Sequence, residues 1–299
     1  MKKVIIFIFS IVVILIFTLT FIKLKKDYDI SFNYIYNLYS NNFKKTLLEK
    51  ELIIDDIFHL ADIDSPKVVS NINEYKFNFS WISIIIDDCG NTLEHIDEYF
   101  NLANKYGITF AVLPDSIYSI EFSKLAYNND VNVILHMPME GSSYFGEKTL
   151  IKTSMNRNEI FNLLDYSFSK VPYAKGLNNH TGSIASLNKD IVSYMLEYAT
   201  YNNKYFVDSY TIAGSLIYDM ALECNVKTAK RSIFLDNDRD YNSIMRQWRE
   251  LIRLSKENGG AIGIGHYQSE NTLKVLNENI DKLIIYDNII SINVEEVLN

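Results

Sequence analysis

Two adjacent carboxylates, Asp87 and Asp88, directly follow the nearly unbroken apolar segment 82–86 in the stretch WISIIIDDCGN. Neighbouring carboxylates repel each other, and a buried position raises the free energy of ionising both. A bound cation would offset this cost, because it stabilises one ionised carboxylate and leaves the other free to act as a base. This pair of residues therefore predicts a metal site with a base beside it.

Three of the five histidines, His136, His180 and His266, stand near the ends of short predicted strands. Imidazole and carboxylate ligands together suit Zn²⁺, with Fe²⁺, Co²⁺ and Mn²⁺ as competing ions, and two histidines plus one aspartate leave positions open for water and substrate. We expect a divalent ion, zinc first. Cys89 could be a further ligand, but we expect it to be a small buried apolar side chain.

Short β-branched segments recur along the chain, each followed by a stretch with helical spacing of apolar residues. Strands that alternate with helices predict a parallel sheet with both faces buried. Seven or eight such units favour an α/β fold of the (β/α) barrel type over an open doubly wound sheet. No glycine-rich dinucleotide motif follows the first segment, which disfavours a nucleotide-binding version. The predicted strands are 81–88, 108–114, 131–139, 175–182, 205–209, 231–236, 261–266 and 289–294.

Polar residues stand at the ends of most of these segments, and in a parallel barrel all such ends meet on the face that carries active sites. Glu140 comes four residues after His136, but Pro138 lies between them and argues against a helical ligand pair. We expect Glu140 to support the ligands or to contact substrate. The other polar residues at strand ends are Asp87, Asp88, His136, Asn178, Asn179, His180, Asp208, Asp236 and His266.

Seven motifs in order carry a family resemblance: IIIDDCGN, ITFAVLP, VILHMPME, GLNNHTGS, FVDSYT, FLDND and GGAIGIGH followed by TLKVL. Over about residues 81–298 the chain resembles the divergent polysaccharide deacetylases, a branch of the carbohydrate esterases related to chitooligosaccharide deacetylases. The resemblance implies a distorted (β/α)7–8 barrel that uses a divalent metal ion to remove acetyl groups from a sugar polymer.

The resemblance also implies roles for single residues. Asp87 resembles the family's catalytic base, and Asp88 and His136 resemble its metal ligands. Better-studied deacetylases have a second histidine where this chain has Glu140, so His180 is expected to supply the missing ligand.

The general acid is expected to be His266, with Asp208 as the residue that orients it. The arginine that supports the base in better-studied relatives has no clear counterpart, and Asn178 or Asn179 is expected to replace it. Tyr210, together with Tyr144 and Phe145, could stack on sugar rings or could equally pack within loops.

Two other classes of function compete with this interpretation. A glycosidase would use paired carboxylates without a metal, and it leaves His136 and His180 unexplained. A membrane-anchored glycan-binding or scaffold protein would keep the barrel and lose turnover. Glu140 and the absent arginine keep this alternative open, whereas the presence of Asp87, Asp88, His136, His180 and His266 argues against it.

The N-terminal residues predict an anchor. The run Val4–Ile22 is uncharged, nearly long enough to span a bilayer, and not followed by a small-x-small cleavage site. We therefore expect an uncleaved signal anchor over residues 1–26 that holds the catalytic domain outside the cytoplasm. Lysines flank both ends of the run, so charge does not decide its orientation.

Residues 27–80 predict a stalk or accessory helical segment, and residues 81–299 the barrel. Asp55, Asp56 and His59 are expected on the solvated face of a helix in the stalk rather than at a metal. The net charge of −8 argues against nucleic acid as the main partner, and two cysteines are too few for a disulfide scaffold. The expected partners are a polysaccharide substrate and the membrane.

Overall fold

A computed structural model describes residues 80–142, 149–283, 287 and 289–299. The predicted anchor and the predicted stalk, apart from Ser80, lie outside these residues, as do Tyr144 and Phe145. Within the described part of the chain, no helix is both long enough and apolar enough to cross a membrane.

Strands and helices alternate along the described chain, as the sequence predicts. The strands are β1 (Ser80–Cys89), β2 (Thr109–Val112), β3 (Val133–Met139), β4 (Gly176–Thr181), β5 (Tyr205–Asp208), β6 (Thr228–Lys230), β7 (Ile233–Phe234), β8 (Gly260–His266) and β9 (Ile289–Ser291). The helices are α1 (Ile96–Tyr106), α2 (Ser119–Asn128), α3 (Arg157–Lys170), α4 (Lys189–Tyr201), α5 (Ile217–Glu223), α6 (Tyr241–Asn258) and α7 (Glu270–Asn279).

The strands form one curled half-barrel in the order β6-β5-β4-β3-β2-β1-β8-β7, consistent with a (β/α) barrel. Every ladder in it is parallel. One edge of β1 is shared between two neighbours: residues 80–82 pair with β9, whereas the later residues, from Ile85 onward, pair with β2. The parallel sheet with helices between its strands is confirmed.

The two ends of the curled sheet are joined by the chain between β6 and β7. β6 pairs with β5 and β7 pairs with β8, and the change of partner falls between Arg231 and Ser232. The amide of Arg231 donates to the carbonyl of Asp208 over 2.9 Å, while the amide of Ser232 donates to the carbonyl of Ile262 over 2.8 Å. The sequence predicted a single strand at 231–236; the structure corrects this to two short strands, the first of which begins at Thr228.

Alternate residues of the strands pack into two separate cores. Ile85, Ile134 and Ile264 belong to the core enclosed by the sheet. Ile84 and Phe206 belong to the core between the sheet and the helices. Because successive side chains on a strand point to opposite faces, this alternation decides which strand-end residues face the interior.

Glycines on β8 let the helices pack closely on the sheet. A Cβ at Gly263 would lie 2.9 Å from a methyl carbon of Leu251 on α6, and a Cβ at Gly265 would lie 2.8 Å from Cγ2 of Thr272 on α7. Both contacts are shorter than van der Waals packing allows. Because Gly265 has no side chain, Thr272 can pack against the end of β8, where His266 lies.

Candidate metal centre and catalytic cavity

The interior face of the sheet carries the predicted base and acid. Asp87 stands two residues after Ile85, and His266 stands two residues after Ile264, so each continues an inward-facing row. Asp87 and His266 are direct partners in the β1–β8 ladder. The tertiary structure thus brings a carboxylate and an imidazole to the carboxyl end of two adjacent strands.

Asp88 reaches the same site through a distortion of β1. By alternation it would face the helices, but its φ is +60° and the register with β2 shifts between Ile86 and Cys89. This left-handed residue turns the carboxylate inward. Asp88 Oδ1 consequently lies 3.3 Å from Nε2 of His136 and 3.1 Å from Nδ1 of His180.

These three side chains offer a ligand set for a divalent ion. Their ligand atoms, one each from Asp88, His136 and His180, all lie within 4.8 Å of one another. Asp88 Oδ1 is buried and makes no hydrogen bond of its own. Burial disfavours its charge, yet the two imidazoles outweigh burial and hold the pKa of Asp88 well below its usual range. Two imidazole nitrogens and one ionised carboxylate oxygen fit zinc or a similar ion.

Asn178 connects Asp87, the predicted base, to His136 of the ligand cluster. Its Nδ2 donates to Asp87 Oδ1 over 2.8 Å, and its Oδ1 accepts from Nδ1 of His136 over 2.7 Å. Because a carboxylate only accepts, the amide must present its NH₂ to Asp87 and its oxygen to the histidine. The proton of His136 is thereby held on Nδ1, which leaves the Nε2 lone pair facing Asp88 and His180.

The buried carboxyl of Asp87 and the buried imidazole of His136 each affect the pKa of the other. Burial raises the pKa of Asp87 above its ordinary value, although His136, His266 and the Asn178 hydrogen bond oppose the change. Burial disfavours the charge on His136, but Asp87 and Asp88 outweigh it and raise the pKa of His136.

His266 is oriented by Asp236. Its Nδ1 lies 2.7 Å from Asp236 Oδ1, and its backbone amide donates to Asp236 Oδ2 over 2.8 Å. Thr272 donates its hydroxyl to the same Oδ2 over 2.7 Å. Burial disfavours the charge on His266, but Asp236, Asp87 and Asp88 together raise its pKa to about 9. The imidazole is therefore protonated at neutral pH, with Nδ1 committed to Asp236.

The prediction that Asp208 orients His266 is corrected, because the carboxylate that binds Nδ1 of His266 belongs to Asp236. Asp208 stands two residues after Phe206, on the side of β5 that faces the helices. Its carboxylate accepts the backbone amides of Tyr210 over 2.8 Å and Tyr218 over 3.3 Å. Its contacts tie the loop after β5 to the start of α5.

Tyr210 has contacts within the loop after β5, one of the two alternatives that the sequence left open. It is partly buried, and at this part of the wall the residue that lines the cavity is its neighbour Thr211. The carbonyl of Tyr210 accepts a hydrogen bond from Nη2 of Arg231 over 2.7 Å. The structure supports no direct contact between Tyr210 and the ligand cluster.

Glu140 points away from the ligand cluster. Its Oε2 accepts both the amide and the hydroxyl of Thr153, each over 2.6 Å, and these bonds lower the pKa of the carboxyl. Its carbonyl accepts the amides of Ile184 and Ala185. Glu140 thus fastens two loops together. These contacts do not include the ligand cluster, and the prediction that Glu140 contacts substrate stays a prediction.

Asn179 and Cys89 have structural partners. Asn179 Oδ1 accepts the amide of Ser209 over 2.8 Å and its Nδ2 donates to the carbonyl of Thr181 over 2.8 Å, so Asn178 is the asparagine that contacts the base. Cys89 is buried, its thiol donates to the carbonyl of Ile86, and burial raises the pKa of that thiol. Cys89 is absent from the ligand cluster, as expected.

A cavity of about 320 Å³ opens over these groups. Its wall includes the predicted base Asp87, the predicted acid His266 and the two histidines of the ligand cluster, His136 and His180, and most of the other lining residues are polar. The remaining lining residues are Gly141, Ser142, Asn179, Thr181, Ser183, Thr211, Phe234 and Asn237.

Two residues near His266, Arg231 and Phe234, were not predicted from the sequence. Arg231 places its guanidinium 3.8 Å from the ring centroid of Phe234, and Phe234 stacks on His266 at 5.8 Å. Both precede Asp236 in the stretch RSIFLD. The signal that could have found them is a cation and an aromatic residue placed three residues apart within the predicted strand 231–236.

Comparisons with known proteins agree on the fold and family type of this domain. Residues 84–287 match the sequence profile described as divergent polysaccharide deacetylase. "Uncharacterized protein YibQ" of Escherichia coli (strain K12) is 33% identical over 203 residues, which cover 68% of this chain and 63% of that protein. The match therefore spans less than two thirds of the E. coli protein. An uncharacterized protein of Haemophilus influenzae is 28% identical over 210 residues, covering 70% of this chain and 74% of that protein.

A solved structure shares the fold. The crystal structure of an uncharacterized protein from Agrobacterium tumefaciens C58 superposes with a TM-score of 0.68 at 15% identity. The superposition covers 73% of this chain and 89% of the Agrobacterium protein. At this identity the likeness establishes the architecture.

Proposed function

The chain belongs to the divergent polysaccharide deacetylase family, and from this premise we propose that it is a metal-dependent hydrolase that removes N- or O-linked acetyl groups from a polysaccharide. One observation carries the proposal: His136 and His180, which form the ligand cluster with Asp88, line the same cavity as Asp87 and His266. A base, an acid and a candidate ion site are the three components that hydrolysis of an acetyl group needs.

Asp88, His136 and His180 would hold the ion, with zinc the ion that suits this donor set. A divalent ion bound there supplies Lewis-acid polarisation of a carbonyl oxygen. The role of Asn178 is to keep the His136 proton on Nδ1, so that Nε2 presents its lone pair.

Asp87 is the proposed general base. It lies in the cavity wall, one residue before a ligand, and Asn178 fixes one of its two oxygens. Because burial raises its pKa, this carboxylate holds a proton more readily than an exposed aspartate does. It would take the proton of the water that attacks the acetyl carbon.

His266 is the proposed general acid. Its Nδ1 is bound to Asp236, so the proton on Nε2 is the one available for transfer. With its pKa raised to about 9, the imidazole carries that proton at neutral pH. It would protonate the sugar amine or hydroxyl as it leaves.

The polar wall of the cavity supports a sugar substrate. Hydroxyl and amide side chains such as Ser142, Ser183, Thr211 and Asn237 offer both donors and acceptors to sugar hydroxyl groups. The family supports a polysaccharide as the polymer that carries the acetyl group.

Acetate release tests the proposal. The purified protein, with its metal content measured, is incubated with a panel of N-acetylated and O-acetylated glycans, and Asp87→Asn serves as the inactive comparison. We expect acetate from at least one glycan and loss of that activity on chelation. Glycan binding without acetate release would favour the scaffold alternative, and cleavage of the sugar chain without a metal would favour a glycosidase.

We also propose that residues 1–26 anchor the protein to a membrane with the barrel on the extracytoplasmic side. The support is the uncharged run Val4–Ile22. The test is fractionation of cells followed by protease treatment of intact cells or spheroplasts. We expect the protein in the membrane fraction and its barrel digested from outside; an intact barrel under those conditions would reverse the orientation.

A further inference from the structure

Phe234 contacts two cationic side chains. The guanidinium carbon of Arg231 lies 3.8 Å from the ring centroid of Phe234, directly over its face. The imidazole of His266 stacks on the same phenyl ring, with the centroids 5.8 Å apart and the planes inclined by 23°. Phe234 also forms part of the cavity wall. The faces of an aromatic ring carry negative charge density and attract cations.

Arg231 lies between β6, which pairs with β5, and β7, which pairs with β8, and its side chain is held in place there. Its Nε donates to the carbonyl of Ser209 over 2.6 Å and its Nη2 to the carbonyl of Tyr210 over 2.7 Å. The planar guanidinium is thus fixed by two hydrogen bonds to the loop after β5, while its face rests on Phe234. A guanidinium keeps its charge throughout the working pH range.

The hydrogen bond to Asp236 leaves one degree of freedom in His266. The histidine side chain has two torsions, and the hydrogen bond from Nδ1 to Asp236 Oδ1 restrains one distance, so the plane of the imidazole can still change. Stacking against a fixed phenyl ring defines the plane of the imidazole as well. Together the two contacts determine where the Nε2 proton points.

We propose that Phe234, fixed by Arg231, is a positioning residue that sets the plane of the His266 imidazole for proton donation into the cavity. The inference rests on the proposed function for the identity of His266 as the acid, and it goes beyond that function in assigning roles to Phe234 and Arg231. The other charged groups that face His266 are Asp236 on its Nδ1 side, and Asp87 and Asp88 at the end of β1.

The test compares Phe234→Leu with Phe234→Tyr in the full-length protein in detergent. Leucine keeps an apolar side chain and removes the ring, whereas tyrosine keeps the ring face. Histidine labelled with ¹³C at Cε1 reports the protonation of each imidazole by NMR, and His266→Ala assigns the signal. In Phe234→Leu we expect the protonation midpoint of His266 to fall by about 0.5–1 pH unit, because the imidazolium loses its aromatic contact. Phe234→Tyr should restore it.

Kinetics give a second measurement. In Phe234→Leu we expect kcat to fall about 10-fold to 100-fold with little change in KM, the scale of a misplaced catalytic group. Arg231→Lys keeps the charge but loses the pair of hydrogen bonds to the carbonyls of Ser209 and Tyr210, and it should also lower kcat. Ile233→Leu, a volume-conserving change on the same strand, is the matched control and should change neither measurement.

An unchanged His266 midpoint in folded Phe234→Leu would overturn the positioning role, whatever the activity. Equal midpoints in Phe234→Leu and Phe234→Tyr, both lowered, would overturn it as well, because the ring would then not be the cause. The NMR measurement needs no turnover. Absence of acetate release with the expected shift would therefore count against the proposed function and leave the contact between Phe234 and His266 established.

Discussion

Asp87 and His266 occupy the same register position on the adjacent parallel strands β1 and β8, and both side chains line one cavity. Adjacent strands lie about 4.8 Å apart, so a carboxylate with a raised pKa and an imidazole with a pKa of about 9 stand within reach of one substrate group. At neutral pH His266 carries a proton that it can donate, whereas burial makes the Asp87 carboxylate bind a proton more readily than an exposed aspartate does. An acid and a base acting on one bond need these two properties.

The first prediction concerns the ligands of the proposed metal. His136→Ala and His180→Ala should each reduce the metal content of the purified protein to well below one ion per chain, because each removes one of three protein ligands. His95→Ala is the matched control, since His95 is an exposed histidine near Glu94 and Glu98. Elemental analysis after equal loading with Zn²⁺ measures the content. Full metal in both ligand variants would show that the ion binds elsewhere.

The second prediction separates the two adjacent aspartates. Asp87→Asn should keep the metal and lose about 10²–10⁴ in kcat, the usual scale for one general base. Asp88→Asn should lose metal affinity first, because its carboxylate oxygen lies 3.3 Å and 3.1 Å from the two histidine nitrogens. Excess metal should restore part of the activity of Asp88→Asn and none of Asp87→Asn. The idea fails if both variants respond alike to added metal.

The third prediction concerns pH. The rate should fall on the alkaline side as pH rises through about 9, because His266 then loses the proton that it donates. It should fall on the acid side as pH drops through the raised pKa of Asp87, because the base becomes protonated. A bell-shaped dependence of kcat/KM on pH measures both limbs, whose values belong to the coupled pair.

Variants of Asp236 and Asp208 provide a matched comparison for the alkaline limb of the pH dependence of kcat/KM. Asp236→Asn removes the charge that stabilises the imidazolium, so the alkaline limb should move to lower pH. Asp208→Asn should leave the limb in place, because Asp208 binds the amides of Tyr210 and Tyr218. A shift in Asp208→Asn and none in Asp236→Asn would reinstate the assignment made from the sequence.

The fourth prediction concerns the asparagine pair. Asn178→Ala should weaken metal binding about 10-fold to 100-fold, because His136 loses the partner that holds its proton on Nδ1. It should lower kcat as well, since Asp87 loses a hydrogen bond. Asn179→Ala is the control for metal affinity, because its partners are Ser209 and Thr181. Titration with Zn²⁺ against a competing chelator measures both constants, and equal constants would contradict the role of Asn178.

Much of the architecture could be predicted because it is local. Apolar β-branched segments separated by helical spacing predict parallel strands, and polar residues at the ends of such segments predict a site on the carboxyl face. The motifs predicted which residues matter, and the structure brings Asp88, His136 and His180 together as expected. The sequence pattern could not predict that β6 and β7 replace the single strand expected at 231–236, because this division depends on the curl of the whole sheet.

The residue pairs within the site were decided by the tertiary structure. Strands buried on both faces are apolar at every position, so the alternation that separates inward from outward residues is hidden in the sequence. For that reason the sequence led to Asp208 as the partner of His266, although it is Asp236 that binds the imidazole. The sequence by itself determined the fold class and the residues gathered at one face. Only the folded chain decided their partners, because a hydrogen bond depends on positions set by β-ladders and helices far apart in sequence.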